Sequence, residues 1–165
     1  IKRLNFTIID KSKVLFVSSP ARRCLQTIEL LQNTLKIKLV CKKAKEFNET
    51  NYGLFAGKTA SEIKERFPMI FKRWMEEPSK VEFPDGETYR NVQDRSYSKL
   101  LDLIRNNQGI ENFFICTHVD VIKLILTKIL SLPIKHRRLF RIYHGSFSCL
   151  QNTSETLEVK FINFK

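Results

Sequence analysis

The sequence has no long apolar run, no paired-cysteine motif and little negative charge, and each lack removes a class of protein. Its longest apolar stretch, Val119 to Leu132, is broken by Asp120, Lys123 and Lys128 and is too short to cross a bilayer, so no membrane association is expected. The four cysteines, at 24, 41, 116 and 149, form no CxxC pair and show no metal-ligand spacing. Reduced thiols in a cytoplasmic protein are the expectation. The chain begins Ile1-Lys2-Arg3, without an initiator Met or the pattern of a secretory signal, and reads as a processed or truncated product.

Internal repeats, low-complexity tracts and linkers are also lacking. The 165 residues, 42% of them hydrophobic and thirteen of them Phe, suit one domain spanning 1–165 with a substantial core. Acidic residues number 17 against 29 Lys and Arg, for a formal net charge of +12. That balance attracts nucleic acid, anionic surfaces or acidic substrates. The basic residues are spread out, however, with clusters only at Lys36 to Lys45 and Lys135 to Arg141. Neither cluster has interleaved aromatics or a nucleic-acid motif, so no specific nucleic-acid partner is expected.

What is present alternates between strand and helix patterns. Val14 to Val17 suits a buried strand, and Ser18-Ser19-Pro20 offers N-cap candidates with a proline at an early helical position. Cys24, Ile28, Leu31 and Leu35 then predict a helix over about 20–36. Lys38 to Cys41 reads as a strand, followed by an irregular segment through Gly57. Thr59 and Glu62 form a capping box. A helical piece from Pro68 ends before Pro78, and a longer helix runs from Thr88 to Arg105. Phe113 to Cys116 is a strand and Val119 to Leu132 a deeply buried helix. Leu139 to Tyr143, Ser146 to Leu150 and Leu157 to Phe161 look like closing strands. Together these predict an α/β layer structure.

Two junctions carry chemistry. Arg23 and His118 each follow the carboxyl end of an apolar strand, and in a parallel sheet both reach the edge where such folds bind ligands. A cation in the first turn of a helix is unfavourable unless an anion sits between them, and helix amides, the Ser19 hydroxyl and a guanidinium make a phosphate cradle. The plain alternative is a solvated Arg22–Arg23 pair. His118 can hydrogen-bond a phosphoryl oxygen or transfer a proton, or can be a core histidine satisfied by a carbonyl. Glu49, in an irregular segment ending at Gly53, can serve as a general acid if partly buried, although most loop glutamates are solvated. Glu87 or Thr88 caps the long helix, and Glu87 has a possible second role against substrate or the phosphate-binding Arg. His136 reads as solvated, and His144, in a predicted strand, could line a cleft. Gly53 to Thr59 fails as a nucleotide loop, having three residues between its glycines and no strand before it. No residue obviously supplies a nucleophile.

Taken in order, these segments resemble the histidine phosphatase superfamily, also called phosphoglycerate mutase-like, over about residues 13 to 162. Ser18 to Thr27 resembles its SSPxxRxxQT element, with Arg23 at the phosphate-binding arginine. Phe47 to Gly53, continuing through Gly57 to Glu62-Ile63, resembles the block whose acid/base is matched by Glu49. Asp85-Gly86-Glu87 is similar to the GGE segment, Asp94-Arg95 to the pair after it, and Thr117-His118 with Val121-Ile122 to the second-histidine element.

The resemblance implies a three-layer α/β fold with a mostly parallel central sheet, and places the chain nearest the short, broad-specificity or α-ribazole phosphatase-like branch. It implies phosphomonoester hydrolysis through a phosphohistidine, with a small phosphorylated metabolite as substrate and no metal or other cofactor. Glu49 and His118 would be catalytic, and Arg23, Ser19 and Glu87 substrate-binding. The family's initial strand, ending in Arg-His-Gly, has no counterpart upstream of Ser18. Ile1 to Phe6 looks instead like the helix that normally follows, so the first strand and its nucleophilic His are expected to be missing. Tyr143-His144-Gly145 echoes that motif only superficially, and Val119-Asp120 replaces two small residues. The alternatives are a phospho-ligand-binding remnant without turnover, or mutase-type phosphoryl transfer.

Overall fold

The structure is a computed structural model that describes residues 10–36, 38, 40–153 and 156–164. The expectation for Ile1 to Phe6 lies outside them. Strand β1 (Val14–Ser18) is buried along nearly its whole length. Successive side chains of a strand point to opposite faces, so burial throughout requires cover on both sides. Leu15 and Val17 enter one core with Val92, Leu100, Val121 and Leu124, while Phe16 enters a second with Ile28 and Leu31.

The covering helices are α1 (Arg22–Leu35) on the Phe16 side and α4 (Tyr89–Arg105) with α5 (Val119–Ile129) on the other. Between them lies a parallel sheet in the order β2-β1-β3, with β2 at Cys41–Lys43 and β3 at Asn112–Cys116. Phe16 aligns with Cys41 and Phe114, and Ser18 with Lys43 and Cys116. This is the α/β arrangement that the alternating pattern predicts, and it brings the carboxyl ends of all three strands to one edge. An antiparallel pair, β4 (Phe147–Asn152) and β5 (Leu157–Phe164), forms a separate sheet whose Leu150 and Leu157 join the larger core.

Several local expectations need correction. Helix α1 begins at Arg22, and its N-cap is Ala21, whose methyl group offers no acceptor for a side-chain cap. The strand read at Lys38 to Cys41 lies two to three residues later, where pairing with β1 sets it. Leu139 to Tyr143 is not a strand. A 3₁₀ turn runs over Ile134–Leu139 instead, burying Ile134 and Arg137 and leaving Leu139 exposed. His144 accordingly sits exposed in a turn before β4 rather than in a strand lining a cleft.

The remaining helices, α2 (Ala60–Arg66) and α3 (Pro68–Glu76), cover an aromatic cluster. The Thr59 capping box at α2 forms as expected. Phe83, with no exposed surface, meets the rings of Tyr52, Phe55, Trp74 and Tyr89 at 4.9, 5.5, 5.6 and 5.4 Å between centroids, all near edge-to-face. Such contacts add about 0.5–1.5 kcal/mol each beyond area burial. They anchor Tyr52, and with it the end of the loop that carries Glu49.

Candidate active site

Three loops meet at the sheet's carboxyl edge, and backbone hydrogen bonds lock them together. The Ser19 amide donates to Cys116 O at 2.9 Å and the Ala44 amide to Ser18 O at 2.9 Å. The Thr117 hydroxyl donates to Phe47 O at 2.7 Å. Ser19, Glu49 and His118 therefore come from parts of the chain far apart in sequence yet share a rigid frame. His118 is the N-cap of α5, and α1 starts three residues after Ser19 with no acidic residue in its first turn. Two helix N-termini thus add partial positive charge beside Arg23, which favours an anion.

At the centre Nη2 of Arg23 lies 2.8 Å from Nδ1 of His118. A guanidinium only donates, so Nδ1 accepts and the imidazole is neutral, with its proton on Nε2. That Nε2 donates to the Ser19 hydroxyl at 2.9 Å, and the hydroxyl donates onward to Oδ1 of Asn48 at 2.8 Å. Burial, reinforced by the charges of Arg23 and Arg95, pushes His118 down to about 4. The carboxylate Oε2 of Glu49 lies 4.0 Å from His118 Nδ1, a contact between a carboxyl and a neutral ring at neutral pH rather than an ion pair. Burial lifts Glu49 above the usual glutamate range. The Thr50 amide opposes this with a 3.0 Å hydrogen bond, the Asp120 charge adds to it, and Arg23 and Arg95 oppose it.

Arg23, Ser19, Glu49 and His118 are therefore brought together. Glu87 is not among them. Both its oxygens face Arg95, at 2.7 and 3.0 Å, and Oε1 also accepts the Asn51 amide at 2.8 Å. The helix cap is Thr88, whose hydroxyl accepts the Asn91 amide. Arg95 further holds the carbonyls of Glu46, Asn48 and Glu49, so Glu87 and Arg95 support the loop that carries Glu49. Two glycines allow the close approach. A Cβ on Gly86 would lie 2.4 Å from Asn51 O, and one on Gly53, at φ +51°, would lie 1.9 Å from Pro84 O.

Sequence reasoning missed Asn48, Tyr52 and Arg137. Arg137 belongs to the basic cluster at Lys135 to Arg141, yet it is 6% exposed and pairs with Asp120 at 3.0 Å and the Tyr89 hydroxyl at 2.6 Å. Asp120 also accepts the Tyr52 hydroxyl. Only the Ile134–Leu139 turn brings Arg137 inward, and the charge pattern held no sign of it. Among the described residues no three His, Cys, Asp or Glu side chains are grouped to hold a metal ion, and no helix is long and apolar enough to cross a membrane.

Comparison with known proteins agrees with this geometry. Phosphoserine phosphatase 1 of Hydrogenobacter thermophilus is 25% identical over 133 residues, 81% of this chain and 62% of that enzyme. The match thus spans less than two thirds of the curated relative's length. Bacillus stearothermophilus YhfR superposes with a TM-score of 0.80 at 21% identity, over 94% of this chain and 75% of its own. A putative alpha-ribazole-5'-P phosphatase from Escherichia coli K-12 gives 0.82 at 16%, over 95% and 75%. At these identities the structural likenesses establish the fold, which is that of the phosphoglycerate mutase-like phosphatases. The family pattern itself matches residues 2–165, nearly the whole sequence, and by that match the chain belongs to branch 1 of the histidine phosphatase superfamily.

Proposed function

We propose that the complete protein hydrolyses small phosphomonoesters in the cytoplasm through a phosphohistidine intermediate. The observation that carries this reading is the convergence on His118 Nδ1 of Arg23 Nη2 at 2.8 Å and Glu49 Oε2 at 4.0 Å, at the open edge of a parallel sheet. Arg23 and His118 hold equatorial phosphoryl oxygens. A histidine nitrogen from an Arg-His-Gly segment outside this sequence attacks phosphorus, and the P–O bond to the leaving group breaks. Glu49 gives its proton to the departing alkoxide, a role that suits a carboxyl whose hold on its proton burial strengthens. Water then attacks the phosphohistidine while Glu49 takes back a proton, and inorganic phosphate leaves. Covalent catalysis divides the displacement into two steps, and the same cationic pocket stabilises charge in both.

Ser19 acts through His118, and Glu87 acts through Arg95 on the acid loop. The interval between Glu49 and His118 is short for a mutase, which favours hydrolysis over phosphoryl transfer between substrates.

Brief mixing of the full-length protein with a ³²P-labelled phosphomonoester tests the proposal. An acid-labile, base-stable phosphoenzyme together with released phosphate is the expected result. Tight phosphate binding with neither product would favour the ligand-binding alternative.

A further inference from the structure

The hydrogen bonds around His118 leave its two nitrogens in opposite roles. The Ser19 hydroxyl receives the Ala21 amide at 3.3 Å and its one proton goes to Oδ1 of Asn48 at 2.8 Å. Facing the ring at 2.9 Å, it can then only accept, which keeps a proton on Nε2. On the other side Nδ1 offers its lone pair to Arg23. An oxyanion held by both Arg23 and His118 needs a donor at Nδ1, because a lone pair facing phosphoryl oxygen is repulsive. Moving the existing proton from Nε2 to Nδ1 would leave two lone pairs facing each other across the Ser19 contact.

We propose that oxyanion capture at Arg23 and His118 is coupled to uptake of one proton at Nδ1 of His118, with Asn48 as the positioning residue that pins the other ring proton on Nε2 through Ser19. This rests on the phosphatase reading of the site, and adds a protonation step to it. The proton comes from solvent. The groups facing His118 are Arg23 and Cys24 on α1, Glu49 on its loop and Arg95 on α4, with Asp120 two residues along the chain in the first turn of α5. Asp120 is committed to Arg137 and Tyr52, and burial pushes the Cys24 thiol up. The bound dianion supplies the charge that makes the imidazolium favourable beside two arginines. Among the described residues Glu49, 4.0 Å from Nδ1, is the other proton acceptor at this contact, and the ¹⁵N shift of His118 separates uptake there from uptake at Glu49 or at the attacking histidine.

Calorimetric titration of the full-length protein with sulfate distinguishes the cases, since sulfate is a tetrahedral dianion that carries no exchangeable proton near neutral pH. Heats measured at pH 7.5 in two buffers of different ionisation enthalpy give the protons taken up. The wild type is expected to take up about one proton, with affinity weakening about tenfold per pH unit. Glu49→Gln should keep that uptake, while the ¹⁵N shift of His118 Nδ1 moves to the protonated range. In Asn48→Ala the Ser19 proton is free to turn to Nε2, so the ring can tautomerise and uptake should fall towards zero. Sulfate binding without uptake in the wild type, or uptake lost in Glu49→Gln, overturns the coupling and leaves the phosphatase reading standing. Uptake unchanged in Asn48→Ala overturns the positioning role. A wild type that binds neither sulfate nor phosphate overturns the oxyanion site itself.

Discussion

Arg95 grips Glu87 as a fork, Nε to Oε2 at 3.0 Å and Nη2 to Oε1 at 2.7 Å, while the same guanidinium holds the carbonyls of Glu46, Asn48 and Glu49. The loop that carries Glu49 therefore hangs from the side of α4. A planar five-donor group makes this possible, and a lysine could not replace it.

Replacing Arg95 by Met leaves the Glu87 carboxylate and three carbonyls without their donor in a partly buried setting. A loss of about 2–3 kcal/mol in stability is expected from urea unfolding. The turnover of the full-length protein should fall through displacement of Glu49, with little change in affinity for phosphate. Glu87→Gln, which keeps the shape and one acceptor, should lose less.

Glu49 must be protonated to assist a leaving alkoxide. Its pKa is raised, mainly by burial, so the active form persists to higher pH than for a solvated glutamate and is lost as pH rises through that value. The kcat of the full-length protein on an alkyl phosphate should show this falling limb. Glu49→Gln should abolish the limb and cost about 10²–10⁴-fold. On p-nitrophenyl phosphate, whose leaving group needs no proton, the loss should be much smaller. Equal losses on both substrates would remove Glu49 from the acid role.

His118 should make stability depend on pH in the opposite direction. Its native value lies near 4, first because it is buried and then because Arg23 and Arg95 face it, whereas an unfolded histidine titrates near 6.5. The native state then binds fewer protons than the unfolded chain between these values. The contribution is full above about pH 6.5 and lost as pH falls towards 4. Urea midpoints of the wild type should drop across that window relative to His118→Gln, by roughly 3 kcal/mol at its lower end. Parallel curves would contradict a buried neutral imidazole.

The layer order was legible because strand and helix periods differ, and because Phe16 between Leu15 and Val17 demands cover on both faces. Arg23 and His118 were legible as a pair because parallel strands put their following residues at one edge. Leu139 to Tyr143 misled because an apolar, aromatic run looks the same whether it pairs in a sheet or follows a turn. Arg137 and Asn48 were invisible for a different reason. Their partners, Asp120, Tyr89 and Ser19, lie 17 to 48 residues away, and a side chain chosen for one distant contact leaves no periodic trace. Glu87 belongs to the Asp85-Gly86-Glu87 segment whose resemblance to the GGE element implies a substrate contact, while its two oxygens face Arg95 and the Asn51 amide.

The most direct test of the central claim is kcat/KM of the full-length protein on p-nitrophenyl phosphate, compared among wild type, Arg23→Ala and His118→Ala. A pocket in which both side chains hold one phosphoryl group should lose at least about 100-fold, or ~2.7 kcal/mol of transition-state stabilisation, in each variant. Hydrolysis within about threefold of wild type in either variant would contradict the account.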